Sequence, residues 1–392
     1  MKILIVRTFP DILNLNSYNV QEVGLAKALT IKGHQCDIVL YNGKHADRRD
    51  PYLFEHDGKK YRFTIYWLKG FGIFKNGFMP SVKKIISDYD VIQVHEYDQI
   101  MSWELYTRPQ KPTVIYHGPY YGEYAKGYNL KCRIFDHLFL QRRNYKDVVA
   151  LTKSKLATEF LIDKGFRNVI TAGVGINTDN FEDCGLVRKH EEESQRDSAP
   201  KEVVCGNKNL LYVGKIEERR NVYFLIEVFR KLHKEDPAFK LTLIGSGDKE
   251  YKERFLKFIE PELAQRNIIY KEKATQKELA EYYKQADLFI FTSNYEIFGM
   301  VLLEAMYFGI PVISSVNGGS TTLIHNGYNG YILERFDEKK WVECILSVMK
   351  DKEEWKSLSM HAKETIRLHY TWDALADKFL DAYELAIEEF KG

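Results

Sequence analysis

The segment Glu296-Ile297-Phe298-Gly299-Met300-Val301-Leu302-Leu303-Glu304-Ala305 is the most informative stretch of this 392-residue chain. Two carboxylates stand eight positions apart, and Glu304 lies within an apolar run. An unpaired buried carboxylate is costly, so Glu304 needs a partner, which a ribose diol in a cleft would provide. If a helix begins near Phe298, its free amides form an anion site that Glu296 flanks. The alternative is an ordinary amphipathic helix with Glu304 partly exposed.

Around this segment, short β-branched runs alternate with amphipathic stretches, a pattern that predicts parallel sheets covered by helices. A helix is expected over Ser17–Lys32 with Gly33 as its stop, and a hairpin over Tyr52–Trp67 that turns at Asp57-Gly58. The other predicted strands of the first half are Lys2–Val6, Asp37–Tyr41, Val91–Val94, Thr113–Tyr116 and Val148–Leu151. Those of the second half are Asn209–Val213, Leu241–Ile244, Ile268–Tyr270, Leu288–Phe291 and Val312–Ser314.

The alternation breaks once, which predicts two α/β domains, each a doubly wound sheet. Residues 182–208 carry few core-forming side chains and are expected to be a linker or exposed loop. The predicted N-terminal domain is 1–181 and the C-terminal domain 209–370. Thr371–Phe390 has helical spacing, and the tail 371–392 is interpreted as a final helix. Ligands of such sheets bind beyond the carboxyl ends of the strands.

Two turns of the second half follow strands directly and carry residues suited to phosphate. Gly214-Lys215-Ile216-Glu217-Glu218-Arg219-Arg220-Asn221 offers Lys215 and Arg220 to a diphosphate. Gly245-Ser246-Gly247-Asp248 is predicted to form a tight turn on the phosphate side, although a lone Gly-x-Gly is weak on its own. Basic residues in a surface turn are the alternative for the first of these turns.

Composition excludes several classes of protein. A hydrophobic fraction of 45% with 29% charged residues is typical of a globular chain. The five cysteines lack CxxC spacing, which argues against a disulfide framework or a zinc site and fits a reducing cytoplasm. The N-terminus resembles a buried strand and no run is long enough for a membrane span, so a cytoplasmic protein is expected. Residues 1–180 hold 26 Lys and Arg against 18 Asp and Glu, which suits an anionic partner or reflects drift in surface charge.

These motifs, in this order and spacing, resemble the retaining glycosyltransferases of family 4, also called glycosyl transferases group 1. The match includes Ala286–Ser293 before Glu296 and Phe308–Ile313 after Glu304, and it is looser in the first half, at Gly33-His34, Tyr116–Gly118 and Val174–Asn177. The resemblance implies the GT-B fold, in which two Rossmann-like domains face each other across a cleft. It implies that the last helix returns to the N-terminal domain. It also implies an EC 2.4 hexosyltransferase that uses a nucleotide sugar.

The resemblance assigns roles to single residues. Glu296 would hold donor-sugar hydroxyls, His117 would lie beside the sugar, and Lys215 and Arg220 would bind the diphosphate; these four form the predicted catalytic set. Glu304 would bind the ribose. The remaining implied donor-binding positions are Phe298, Gly299, Met300 and Val301 at the sugar and distal phosphate, Gly245 and Ser246 at the phosphate turn, and Lys273 and Ala274 at the base.

Two departures from the family pattern affect donor binding. Asn16 and Ser17 stand where the family usually carries paired glycines, so their side chains are expected to contact the donor. Lys215 stands where the family usually carries arginine. An ammonium group with a single centre of charge therefore replaces a guanidinium that can donate two parallel hydrogen bonds. The implied chemistry is transfer on one face of the sugar, with a covalent double displacement as the competing mechanism.

No cofactor and no metal are expected beyond the nucleotide-sugar donor. Asp88-Tyr89-Asp90 resembles a metal-binding Asp-x-Asp but precedes a strand, at the wrong end for a ligand. Basic and aromatic residues in 69–84 and 116–146 suit an anionic membrane surface and a glycan or lipid-linked saccharide acceptor in surface polysaccharide or glycolipid synthesis. No nucleic-acid module accompanies them, and an ordinary solvated face is the alternative. Rival functions are a nucleotide-sugar epimerase and an inert sugar-binding protein.

Overall fold

The computed structural model describes residues 1–15, 17, 19–73, 75–178, 181 and 208–391. The chain divides into two compact units. Unit 1 comprises Met1–Asn177 together with Tyr370–Gly392, and unit 2 comprises Thr178–His369. The predicted linker lies outside the described residues except for Lys208, which begins a strand. None of the helices in the described ranges is long and apolar enough to cross a bilayer.

Unit 1 is built on an eight-stranded sheet with the order β10-β9-β8-β7-β1-β2-β4-β3, in which only the β3–β4 pair is antiparallel. Its elements are β1 (Lys2–Val6), α1 (Gln21–Ile31), β2 (Gln35–Tyr41), β3 (Arg48–His56), β4 (Lys59–Leu68), β5 (Phe71–Ile73), β6 (Asn76–Phe78), β7 (Val91–His95), α2 (Ile100–Thr107), β8 (Thr113–His117), α3 (Lys126–Leu138), β9 (Ala150–Thr152), α4 (Lys155–Asp163) and β10 (Val169–Thr171).

Unit 2 contains one six-stranded sheet with the order β13-β12-β11-β14-β15-β16, parallel throughout. Its elements are β11 (Lys208–Val213), α5 (Val222–Glu235), β12 (Phe239–Ile244), α6 (Lys249–Phe258), α7 (Glu260–Ala264), β13 (Ile268–Lys271), α8 (Gln276–Gln285), β14 (Leu288–Phe291), α9 (Met300–Tyr307), β15 (Val312–Ser315), α10 (Gly318–Leu323), β16 (Gly330–Leu333), α11 (Glu338–Lys350) and α12 (Lys352–His369). Strand order reverses between β11 and β14, so a crevice opens there beyond the strand ends.

The final helix, α13 (Trp372–Lys391), belongs to unit 1. The Tyr383 hydroxyl donates to Gln93 Oε1 at 2.6 Å, which ties the helix to β7. A Cβ on Gly24 would lie 2.1 Å from Trp372 Nε1, so α1 admits this tryptophan only because position 24 has no side chain. The helix therefore covers the unit 1 sheet through close aromatic packing.

The predicted fold class is confirmed, and most predicted strands lie within a residue or two of the observed ones. The hairpin turning at Asp57-Gly58 and the helix stop at Gly33, whose φ is +88°, are also confirmed. The helix predicted from Ser17 begins only at Gln21, because Asn19 has a φ of +49° that a right-handed helix does not allow. Val148 was wrongly predicted as a strand residue, since its N–H donates to Tyr145 O in a turn before β9.

Candidate functional site

The turns after β11 and β12 lie in direct backbone contact. The Ile216 N–H donates to Ser246 O at 3.0 Å. A Cβ on Gly245 would lie 1.8 Å from Gly214 O, and one on Gly247 would lie 1.9 Å from Ile216 O. Glycine is therefore required at both positions, and the two predicted phosphate-side turns form one surface beyond the sheet.

Arg220 and Glu296 are joined by an ion pair at the crevice between β11 and β14. Arg220 Nη1 donates to Glu296 Oε2 and, at 3.2 Å, to Ser293 Oγ. The side chains are 11% and 18% exposed, so solvent still reaches the pair. Backbone contacts fix the geometry, because Thr292 Oγ1 donates to Arg220 O at 2.9 Å. The structure thus brings together two of the four predicted catalytic residues.

The helix after Glu296 begins later than predicted. Gly299 has a φ of +79°, which breaks the helical path, and α9 starts at Met300. Phe298 therefore lies in the preceding turn, where it is buried, while Met300 and Val301 provide the first amides of the helix. Such first-turn amides have no acceptor within their own helix and carry the positive end of its dipole.

A polar loop that the sequence analysis missed supports this turn. The Gly318 N–H donates to Glu296 O at 3.0 Å. The Asn317 side chain caps α10 by accepting from the N–H groups of Gly319 and Ser320. A Cβ on Gly319 would lie 1.9 Å from Phe298 O, so the loop touches the turn through backbone alone. The run Asn317-Gly318-Gly319-Ser320 directly after a predicted strand was the available signal.

Glu304 is buried within α9, with 2% of its surface exposed. The Tyr283 hydroxyl donates to Glu304 Oε2 at 2.7 Å. The alternative of a partly exposed glutamate on an amphipathic helix is therefore wrong, and the expectation that Glu304 needs a polar partner is confirmed. Tyr283 lies on α8, 21 positions away, and no sequence spacing indicated it.

The other predicted donor residues occupy different surroundings. Lys215 and Lys273 are exposed, and Ala274 is half-buried between β13 and α8. Ser246 Oγ donates to Glu272 Oε1 at 2.9 Å. Ser17 is exposed in unit 1, whereas Asn16 lies outside the described residues.

In unit 1, His117 ends β8 and is fully buried. Its Nδ1 lies 2.5 Å from Glu96 Oε2, and its ring stacks on Phe160 with centroids 5.5 Å apart. Neither ring nitrogen makes a hydrogen bond of good geometry within the part of the chain that is described, so the contact with Glu96 is electrostatic. Glu96 therefore fixes one side of the imidazole, while the other side carries an unsatisfied polar atom.

Glu96 itself was not predicted, although it directly follows β7. Its φ of +58° is a left-handed conformation that a non-glycine residue rarely adopts, and such strain is concentrated at functional sites. Burial by itself raises the pKa of Glu96, but His117, Lys153 and the Gly118 N–H outweigh it and lower that pKa to about 2. The carboxylate is therefore ionised across the physiological range.

Glu96, Asp98 and His117 lie close enough together to share a metal ion. However, Lys131 Nζ lies 2.9 Å from an Asp98 oxygen and Lys153 Nζ lies 3.7 Å from a Glu96 oxygen. These ammonium groups already balance the carboxylate charge and oppose a further cation. In the Asp-x-Asp run, Asp90 accepts from the Lys2 N–H at the amino end of β1, far along the strand from its carboxyl end.

Comparison with known proteins identifies the domain that carries the Arg220–Glu296 pair. Residues 193–365 match the family described as glycosyl transferases group 1. This region of the chain, residues 193–365, is therefore similar to the group 1 glycosyltransferases. The predicted resemblance is thereby confirmed.

Curated relatives of this chain include the spore coat protein SA of Bacillus subtilis, 26% identical over 186 residues that cover 46% of this chain and 49% of the relative. A poly(glycerol-phosphate) alpha-glucosyltransferase of the same organism is 27% identical over 249 residues, 63% of this chain and 34% of its own. An uncharacterized glycosyltransferase of Methanocaldococcus jannaschii is 30% identical over 188 residues, 46% of each chain. The chain spans at most about half the length of these curated relatives.

Solved structures share the fold over nearly the whole chain. HepE of Anabaena, crystallised with UDP and glucose, superposes with a TM-score of 0.65 at 15% identity and covers 98% of this chain and 99% of its own. A glycosyltransferase of Rickettsia africae gives a TM-score of 0.68 at 17% identity, with 99% of each chain covered. The chain therefore has the GT-B fold.

Proposed function

We propose that this chain transfers a sugar from a nucleoside-diphosphate sugar to a hydroxyl acceptor with retention of configuration. The observation that carries the proposal is the Arg220–Glu296 pair, held at the strand-order reversal of unit 2. A cation for phosphate and a carboxylate for sugar hydroxyls stand side by side there. The family of the domain supports the same reaction class.

The donor diphosphate would lie on the surface made by the two glycine turns. Lys215 and Arg220 supply positive charge, and the backbone at Gly245 and Ser246 permits close approach. The first amides of α9, at Met300 and Val301, add the positive end of a helix dipole. Asn16 and Ser17 are proposed to reach the donor from unit 1.

The nucleoside would be gripped by Glu304 and the loop before α8. A carboxylate accepts several hydrogen bonds, so the bond from Tyr283 leaves capacity for a ribose diol. Lys273 and Ala274 would meet the base. HepE was crystallised with UDP, which makes uridine donors the first to test.

At the reacting carbon, Glu296 would position the sugar, with Phe298 and Gly299 providing backbone close to it. The bond from the anomeric carbon to the diphosphate breaks while the acceptor oxygen bonds on the same face. Negative charge develops on the departing diphosphate oxygen, where Lys215, Arg220 and the α9 amides stabilise it. The diphosphate itself takes the acceptor proton, so no general base and no metal are required.

His117 is proposed to accept a hydrogen bond from a sugar hydroxyl through Nε2, because Nδ1, which faces the Glu96 carboxylate, carries the proton. The acceptor is proposed to be a glycan or lipid-linked saccharide of a surface polysaccharide. The two Bacillus subtilis relatives, named as a spore coat protein and a poly(glycerol-phosphate) alpha-glucosyltransferase, support that class.

The direct experiment is a panel of UDP-, ADP- and GDP-sugars, read by nucleotide release with and without acceptor glycans. Wild-type protein is expected to release nucleotide from one donor class, and the anomeric configuration of the product is read by NMR. The Glu296→Gln variant is expected to lose that turnover, while the matched exposed control Glu353→Gln keeps it. Equal turnover in both variants, or an inverted product, contradicts the proposal.

Two rival functions have distinct signatures in the same assay. A nucleotide-sugar epimerase converts the donor into an epimer without acceptor and without nucleotide release. An inert sugar-binding protein shows thermal stabilisation by the donor but no slow hydrolysis. Recovery of an epimer, or complete absence of hydrolysis and transfer, favours the corresponding rival.

A further inference from the structure

Helix α3 of unit 1 exposes a stripe of aliphatic side chains. Leu130, Ile134 and Leu138 follow at intervals of four residues, so they lie on one face of the helix. They are 61%, 50% and 41% exposed. On the other side of the same helix, Cys132 and Phe135 are buried. The helix therefore packs on unit 1 with one apolar face and presents a second apolar face to its surroundings.

Basic residues border this stripe. Lys126 and Arg133 are exposed and lie on the same flank of Leu130, and exposed His137 lies there too. Over residues 121–146 the chain carries six Lys and Arg against two acids, Glu123 and Asp136. Asp136 is already paired with Lys164, and Lys131 with Asp98. The charge around the stripe is thus positive, which matches an anionic partner.

We propose that this face, here called the α3 stripe (Leu130, Ile134 and Leu138 with Lys126 and Arg133), rests on an anionic lipid bilayer. The aliphatic side chains would enter the headgroup boundary, and the two cations would meet lipid phosphates. The inference deepens the proposed function and rests on it, since it names the surface on which a lipid-linked acceptor would be reached.

Other occupants fit the α3 stripe less well. A second copy of the chain, docked stripe to stripe, would bring the cations of both copies together. A nucleic acid would meet the cations but would leave three aliphatic side chains without an apolar partner. The exposed Tyr121 and Tyr124 just before the helix suit a bilayer interface, where amphipathic aromatic rings concentrate.

The test is sedimentation of the full chain with phosphatidylcholine vesicles, with and without phosphatidylglycerol. The stripe variant combines Leu130→Gln, Ile134→Gln and Leu138→Gln, which keep helix propensity and chain length. Its matched control is Met360→Gln with Leu368→Gln, two comparably exposed apolar residues of α12 in unit 2. A charge variant, Lys126→Gln with Arg133→Gln, is matched by Lys339→Gln with Lys352→Gln.

Wild type and both controls are expected to sediment with anionic vesicles and to be released at high salt. The stripe variant is expected to bind at least about tenfold more weakly. The charge variant is expected to lose about fivefold for each cation removed. Equal binding by the stripe variant and its control overturns the proposal. Wild-type protein that does not sediment with anionic vesicles overturns it as well.

Two further measurements keep the result specific. A wild-type dimer that the stripe substitutions convert to a monomer assigns the stripe to a second copy and overturns the lipid proposal. Nucleotide release without vesicles is expected to be the same in wild type and the stripe variant. Loss of vesicle binding with unchanged release therefore separates this inference from the catalytic proposal, which is tested by nucleotide release and not by vesicle binding.

Discussion

Near the ends of its parallel strands, unit 2 holds the Arg220–Glu296 pair and unit 1 holds the His117–Glu96 pair. The two pairs differ in how far solvent reaches them. Arg220 and Glu296 are 11% and 18% exposed, whereas His117 and Glu96 are 0% and 5% exposed. A pair that solvent reaches can exchange its partner for a ligand. A sealed pair keeps one geometry and fixes the orientation of the whole imidazole ring, including His117 Nε2.

The difference suggests a division of labour in the proposed reaction. The donor diphosphate would compete with Glu296 for Arg220, which frees the carboxylate for sugar hydroxyls. Glu96 would not change partner and would act only by orienting His117, as a positioning residue. Removing Glu296 from the exposed pair should therefore lower turnover without weakening nucleotide binding, and removing Glu96 from the sealed pair should lower turnover alone.

The largest effect is expected for Glu296→Ala, which should lower turnover about 10²–10³-fold. The same variant should bind nucleoside diphosphate at least as tightly as wild type, because Arg220 no longer has a competing carboxylate. Turnover is read by nucleotide release and affinity by calorimetry. A variant that loses both turnover and nucleotide affinity would show that Glu296 does not compete with the diphosphate.

A smaller effect is expected for Glu96→Gln, which keeps the shape of the side chain and removes the carboxylate that orients His117. We expect kcat to fall about tenfold and the affinity for nucleoside diphosphate to stay unchanged. The exposed control Glu123→Gln should match wild type in both. Unchanged kcat in the Glu96 variant would show that the Glu96–His117 pair has only a structural role in unit 1.

Glu96 also predicts a pH dependence of stability. Its folded pKa is about 2 and its ordinary value is 4.5, so the ionised carboxylate stabilises the fold above pH 4.5. That contribution is lost as pH falls through about 2. The shift corresponds to about 3 kcal/mol, so Glu96→Gln should have a lower free energy of unfolding at neutral pH. In urea titrations the difference from wild type should shrink between pH 4.5 and about 2, and a constant difference would contradict it.

The smallest effect is expected for Tyr283→Phe, which removes the hydrogen bond to buried Glu304. Losing the donor to a buried oxygen costs about 1–3 kcal/mol, so the free energy of unfolding should fall by about that amount. Turnover should fall less than about tenfold, because the tyrosine contacts the carboxylate rather than the reacting atoms. Tyr328→Phe, at an exposed tyrosine, is the control for denaturant titration.

Sequence alone predicted the features that depend on neighbouring residues. The alternation of strands and helices, the hairpin at Asp57-Gly58 and the need of Glu304 for a polar partner follow from local patterns and burial costs. The late start of α9 could not be predicted from the sequence. It results from the positive φ of Gly299, which only the folded backbone shows. Glu96 was missed because its partner His117 lies 21 positions away and meets it only when β7 and β8 pair.

The central claim is that the carboxyl edge of the unit 2 sheet binds the donor diphosphate through Arg220. The direct test is calorimetric titration of wild type and Arg220→Ala with whichever of UDP, ADP and GDP binds wild type most tightly. Loss of the Arg220 guanidinium is expected to weaken binding of the nucleoside diphosphate about tenfold to a hundredfold. The fold, monitored by circular dichroism, is expected to be retained. Equal affinity in the two proteins would contradict the account.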